Sequence, residues 1–311
     1  MWISNLNVPD FEPNVPLTYR EKRKTSELIY CRDPFIMRAG RLYYLYQNHG
    51  GEGIVCSVSE DLENWSDPVY VFRTPPDFHG TDDFFWAPEC HYYNGWFYIF
   101  TSVFSSKSNH RNVSVYRADN PLGPFEDIAG GSITPRDRDA IDGTLYIDGD
   151  GQPWLVFVHE WTSVPDGNGA MAAAKLSDDF THLVSEPILL FHARDLPAAT
   201  DGVTDGPYLY RSDNGNLFML WSNFCSGDYA VAVAKSSNGR LDGKWIQSEK
   251  LLYGRGERPE WVFDGGHPMI FPADNGKFYL SIHSPNWNDG TVFEHLLLLP
   301  LGLSDDGFEI L

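Results

Sequence analysis

The sequence is short of positive charge, of cysteine and of long apolar runs, and each shortage narrows what the chain can do. Lys and Arg number 23 against 43 Asp and Glu, a formal net charge of -20 over 311 residues. Such a surface repels phosphate backbones and anionic headgroups, which argues against nucleic acid and membrane as partners and favours a neutral ligand such as a plain sugar. The four cysteines, Cys31, Cys56, Cys90 and Cys225, are widely separated with no C-x-x-C pair. They read as buried thiols rather than as a disulfide framework or a zinc site. No apolar run is long enough to span a bilayer. No charged-then-apolar leader is present, which together with the free thiols favours the cytoplasm and leaves open a secreted protein whose leader has been removed. Helical periodicity is almost missing, as are H-E-x-x-H, Walker-type, dinucleotide-binding and EF-hand patterns.

What the chain has is aromatic and apolar residues, 15% and 42% of the total, arranged in a rhythm. Five phrases share one grammar: a small or acidic opening, a strand-like run, a Gly-containing turn and a second apolar run. They are "RDPFIMRAGRLYYLYQN" from Arg32, "WAPECHYYNGWFYIFTS" from Trp86, "IDGTLYIDGDGQPWLVF" from Ile141, "DGPYLYRSDNGNLFMLWSN" from Asp205 and "GGHPMIFPADNGKFYLSIHSPN" from Gly265. Their starts lie 54 to 64 residues apart. Turns of the NG and DG type between apolar runs are hairpin signals. A third strand and an A-x-S-x-D/N element often follow, with a Trp or Phe a few residues on. The second runs are apolar on both faces, as suits sheets packed between other sheets. Self-similar antiparallel units at this period predict an all-β, five-bladed β-propeller occupying residues 1–311 as a single domain.

In a propeller the inner strand of each blade starts at one mouth of the central channel, and the second strand returns to that mouth. The openings supply Asp33, Trp86, Asp142, Asp205 and His267. The second-strand ends supply Asn48, His49, His159, Glu160, Trp161, Asn223 and His283. Three aspartates at matching blade positions meet near the axis, where like charges push pKa values upward. Carboxylates among aromatics suit glycoside hydrolysis, one acid protonating the leaving oxygen while a carboxylate activates water. Carboxylates set across a channel leave room for that water, which gives inversion. His49, Trp86, Trp161, Asn223 and His283 are the candidate sugar-binding residues, Trp86 as a stacking platform. Glu89, inside an inner strand, reads as a structural hydrogen-bonding group.

Taken together in this order, the five phrases resemble glycoside hydrolase family 43, from about Ile29 onward. The resemblance implies a five-bladed propeller that acts with inversion on glycans containing arabinose, xylose or galactose. It implies that Asp33, in "RDPF", is the general base and that Asp142, in "IDGT", orients the acid and tunes its pKa. It places His267, in "GGHPMIF", beside a calcium ion or water in the channel; no cofactor is otherwise required. The family has Glu before the "GP" of the fourth blade, where this chain has Asp205, shorter by one methylene. Asp205 is therefore the expected acid and Glu160, in "VHEWTS", the alternative. An α-L-arabinofuranosidase or arabinanase is the expected activity, with a β-xylosidase, a β-galactofuranosidase or a non-catalytic glycan-binding propeller as alternatives. The "RDP" and "EC" pairs are also found in the fructan-cleaving propellers, but the "NDP"-like nucleophile motif of those families does not precede Arg32.

Overall fold

The strands lie in five antiparallel blades around one axis in a computed structural model that describes residues 1–24, 29–81, 85–286 and 292–311. From the axis outward, blade I runs Phe35–Ala39, Leu42–Asn48 and Gly53–Ser59, edged by Asn64–Ser66 and Val69–Arg73. Blade II runs Trp86–Tyr93, Trp96–Ser105, His110–Ala118 and Glu126–Asp127. Blade III runs Ala140–Ile147, Pro153–His159, Ala170–Lys175 and Ile188–His192. Blade IV runs Asp205–Arg211, Leu217–Cys225, Asp228–Ser236 and Trp245–Gln247. Blade V runs Gly266–Pro272, Phe278–Ser284, His295–Ser304 and Gly307–Ile310.

The local chemistry explains each turn. Asn94 and Gly95 both have positive φ, 48° and 87°, between the paired residues Tyr93 and Trp96. That is the primed hairpin turn the NG signal specifies. The A-x-S-x-D/N element is a side-chain-nucleated turn. The Leu62 amide donates to Ser59 Oγ at 2.9 Å and the Asn64 amide to Asp61 Oδ1 at 2.7 Å, and Trp65 then swings into the core. Ser177 with Asp179 and Ser236 with Asn238 repeat the device, ahead of the buried Phe180 and Trp245. The second strands are buried on both faces, Leu42 through Tyr46 and Leu217 through Asn223 without a break. All four cysteines are buried free thiols.

Two links close the molecule. Ile29–Cys31 at the entry to blade I pairs with Glu294–Leu296 of blade V, through Cys31 N to Glu294 O at 3.3 Å and Leu296 N to Ile29 O at 3.4 Å. At the far mouth of the channel, the N-terminal segment crosses from blade to blade. Trp2 exchanges backbone hydrogen bonds with Arg211 of blade IV and sets its ring edge-on to Tyr146 of blade III. Asn5 bridges two backbone groups of blade II, donating to Cys90 O at 2.7 Å and accepting from Tyr92 N at 2.8 Å. Val8 O receives Gly40 N of blade I. Ile3, Ser4 and Asn5 are buried by this crossing.

Candidate active site

Every inner strand begins with one residue in the left-handed region: Asp33 (φ 52°), Ala87 (44°), Asp142 (50°), Gly206 (51°) and His267 (56°). Each stands two positions before Phe35, Glu89, Thr144, Tyr208 and Met269, where regular pairing with the second strand is under way. In blades II to V the register with the second strand shifts at this residue, a bulge of the kind that re-aims a side chain, and in blade I the residue lies just ahead of the strand. Asp and His tolerate the left-handed region better than most residues. Strain of about 1–3 kcal/mol per such residue persists only where surroundings over-determine it. Here neighbouring blades do so by bonding the bulge amides. Asp142 N donates to Ser102 Oγ at 2.9 Å, His267 N to Ser222 Oγ at 2.9 Å and Asp33 N to His283 Nδ1 at 3.2 Å. Ser102, Ser222 and His283 hold the same place in their blades, opposite Trp86, Asp205 and Gly266. In blade III that place is Val158, opposite Ile141. The Gly206 amide turns instead to Asp142 Oδ2 at 3.2 Å.

The bulges sort the candidate residues into two ranks, which corrects the expectation of three aspartates at matching positions. Asp33, Asp142 and His267 are the left-handed residues. Asp205 comes one position earlier, as do Arg32, Trp86, Ile141 and Gly266. The left-handed rank converges on the axis: His267 Nδ1 lies 3.1 Å from Asp33 Oδ1 and 4.0 Å from Asp142 Oδ2. Asp205 joins them from the rim, its Oδ2 accepting a hydrogen bond from Tyr229 Oη at 3.0 Å.

The carboxyls are held in different states. Burial pushes Asp33 up, but the His267 and Arg32 charges facing it outweigh burial and hold it below the ordinary carboxylate value. His283 adds little of that charge. Burial presses its pKa to about 4, and its Nδ1 accepts the Asp33 amide while Nε2 bonds Asn286 Oδ1 at 2.9 Å. That assigns a neutral tautomer, so its 3.4 Å approach to Asp33 Oδ1 is not an ion pair. Asp142 is raised by burial and by Asp33, opposed by His267 and the Gly206 amide. Asp205 is raised furthest, by burial first and then by Asp142 and Asp33. Glu160 is also raised, by burial and then by Asp139 and Asp142.

These groups line a cavity of about 770 Å³ together with Glu160, His49, Trp86 and Trp161. Trp86 stands 38% exposed, with the Arg111 guanidinium 3.7 Å from its ring centre. One ring face is thus covered, and the exposed part of the ring lines the cavity. Two expected sugar-binding residues lie elsewhere. Asn223 is fully buried and away from the cavity, its Nδ2 donating to Ala193 O at 3.3 Å. Strand period explains this: Ser222 holds the place opposite Asp205, and a shift of one residue reverses the side chain. His283 is fully buried behind Asp33 and supports it instead of facing the cavity.

The sequence reading missed Tyr229 and Arg32. Arg32 was in plain view in "RDP"; it reaches Glu294 Oε1 at 2.6 Å and Asp33 Oδ2 at 4.0 Å. Tyr229 sits on a third strand, which periodicity alone places far from the axis. Beneath the cavity, Glu89 is structural as expected: Oε2 meets His91 Nε2 at 3.0 Å, Thr144 bonds it, and burial raises it to about 8. His91 continues the chain to Ser4. Calcium takes six to eight oxygen ligands. Among the described residues no group of three or more His, Cys, Asp or Glu side chains is placed to hold a metal ion. His267 offers only nitrogen, with Nδ1 facing Asp33. Among the described residues, His, Cys, Asp and Glu side chains alone do not complete a calcium shell at His267.

Comparison with known proteins agrees with this geometry. The family model for glycosyl hydrolases family 43 matches residues 29–308. The chain is 28% identical to an extracellular exo-α-(1→5)-L-arabinofuranosidase of Cellvibrio japonicus, over 91% of this chain and 86% of that protein. It is 24% identical to an extracellular endo-α-(1→5)-L-arabinanase of Bacillus subtilis, over 86% and 87%. The crystal structure of an endo-arabinase from Bacteroides thetaiotaomicron superposes with a TM-score of 0.81 at 35% identity, covering 94% of this chain and 99% of that one.

Proposed function

This chain belongs to glycosyl hydrolases family 43, and on that footing we propose that it hydrolyses α-L-arabinofuranosidic bonds of arabinan-type glycans with inversion, as a single catalytic domain. The observation that carries the proposal is the pairing in one cavity of Asp33, which faces His267 and Arg32 and is lowered, with Asp205, which faces Tyr229 and is raised by burial and the other two aspartates. Asp33 takes a proton from water as the water oxygen bonds the anomeric carbon. Asp205 gives its proton to the glycosidic oxygen as the old carbon–oxygen bond breaks. Exchange with solvent returns both groups to their starting states. Asp142 is close enough to raise the pKa of Asp205 through like-charge repulsion, which favours its protonated form. Trp86 offers the exposed part of its ring to the sugar. The arabinan assignment draws on the resemblance to the arabinanases and the arabinofuranosidase above.

Glu160 is a second candidate acid, because it also lines the cavity and is also raised. The test uses aryl α-L-arabinofuranosides of graded leaving-group quality, and linear arabino-oligosaccharides followed by NMR of the first-formed anomer. Asp33→Ala is expected to abolish turnover while the thermal melt stays cooperative. Asp205→Asn is expected to slow poor leaving groups selectively. Selective loss in Glu160→Gln instead transfers the acid role, and a retained anomer at first appearance defeats inversion.

A further inference from the structure

We propose that Tyr229 is the positioning residue of the general acid, holding Oδ2 of Asp205 as an acceptor so that Oδ1 is the oxygen that carries and delivers the proton. The inference rests on the assignment of Asp205 as acid. An aspartic acid has two chemically equivalent oxygens and a broad, two-fold terminal torsion. Nothing intrinsic to it decides which oxygen faces the substrate. The hydroxyl of Tyr229, 3.0 Å from Oδ2, removes that equivalence. Burial and the neighbouring carboxylates raise the phenol well above its ordinary value, so it stays a donor.

The placement of the ring is built by three separate contacts. At the rim position where other blades carry Arg32, Trp86, Ile141 and Asp205, blade V has Gly266. A Cβ on Gly266 would stand 2.5 Å from Cε1 of Tyr229. The glycine therefore vacates the space that the ring of blade IV fills. On another side His283 stacks on the ring, 5.6 Å between centroids and 19° from parallel. The backbone is pinned as well: Tyr229 N donates to Asp264 Oδ2 at 3.1 Å, and Gly265 N donates to Tyr229 O at 3.0 Å. The other oxygen of Asp264 accepts Asn286 N at 2.9 Å, and Asn286 Oδ1 bonds His283. The support of the acid and the support of the base thus share one buried carboxylate.

The hydrogen bond also changes during the reaction. While Asp205 is neutral, the bond joins two neutral groups. As the proton leaves for the glycosidic oxygen, Asp205 becomes a carboxylate and the same bond becomes charge-assisted and stronger. An interaction that strengthens in the transition state raises kcat rather than lowering KM. A donor to the carboxylate also favours ionisation, so deleting it must raise the pKa of Asp205.

The test compares Tyr229→Phe and Asp205→Asn with the parent on arabino-oligosaccharides and on an aryl arabinofuranoside whose leaving group needs no protonation. In Tyr229→Phe, kcat on oligosaccharides is expected to fall about 10- to 100-fold, the range for losing a hydrogen bond to a charged group. KM should stay near the parent value, the activated aryl substrate should be much less affected, and the alkaline limb of the pH profile should move to higher pH. Equal loss on both substrates with an unmoved alkaline limb would reduce Tyr229 to a packing residue and overturn the proposal. If Asp205→Asn shows no leaving-group selectivity, the acid assignment fails and the proposal goes with it. If Asp205→Asn is selective and Tyr229→Phe behaves as the parent, the role of Tyr229 alone is refuted.

Discussion

Asp33 and Asp205 carry the same functional group and are shifted in opposite directions by their surroundings. Asp33 meets the imidazole of His267 and the guanidinium of Arg32. Asp205 meets a phenol and two other carboxyls. Activity needs the first ionised and the second protonated. Because Asp33 is lowered, the acid limb of kcat/KM should fall below the ordinary aspartate value. Because Asp205 is raised, the alkaline limb should lie well above it, leaving a plateau through neutral pH. The limbs belong to the coupled cluster rather than to single residues. Asp142→Asn sharpens the point. Removing that charge relieves the repulsion that keeps Asp205 protonated, so the alkaline limb should shift to lower pH by about one unit or more. The variant should then lose proportionally more activity at pH 8 than at pH 6; pH-rate profiles of the two proteins check this.

At the scale of elements, the strand-head bulge and the N-terminal crossing do the positioning. The left-handed backbone at the strand heads turns Asp33, Asp142 and His267 towards one point, and Ser102, Ser222 and His283 of adjoining blades bond their amides there. These partners were present in the sequence as "FTS", "LWS" and "SIH", but without the bulge the register between strands could not be assigned. A slip of one residue in that register puts Asn223 in the place that Ser222 holds. The N-terminal crossing works at the other end of the same strands. Asn5 satisfies a buried carbonyl and a partly buried amide of the inner strand of blade II. Asn5→Ala leaves both unpaired, and each such group costs about 1–3 kcal/mol. The thermal midpoint is expected to drop by several degrees while kcat stays within about twofold of the parent, since the site lies at the opposite mouth. Calorimetry paired with a saturating-substrate assay separates the two effects.

For the molecule as a whole, the net charge of -20 sets which glycans approach. Field effects on a neutral arabino-oligosaccharide are small, and those on a uronate-rich polymer are repulsive. Raising ionic strength from about 0.01 M to about 0.5 M shortens the Debye length from roughly 30 Å to a few Å. KM for the neutral substrate should hardly move, whereas KM for an acidic arabinan-bearing pectin should fall; a salt series on both polymers measures the difference.

The sequence by itself determined the blade count, the hairpins and which acidic residues gather at the channel mouth, because strand period, NG and DG turns and the five-fold phrase are local signals that survive without neighbours. It also pointed to Glu89 as a hydrogen-bonding group inside the inner strand, three residues past the strand head at Trp86. Only the tertiary structure decided the two ranks at the strand heads, the retreat of Asn223 and His283 from the cavity, and the arrival of Tyr229 beside Asp205. Each of these depends on where one blade meets the next. Such contacts join residues far apart in the chain, and the backbone bulges that aim them leave no periodic trace.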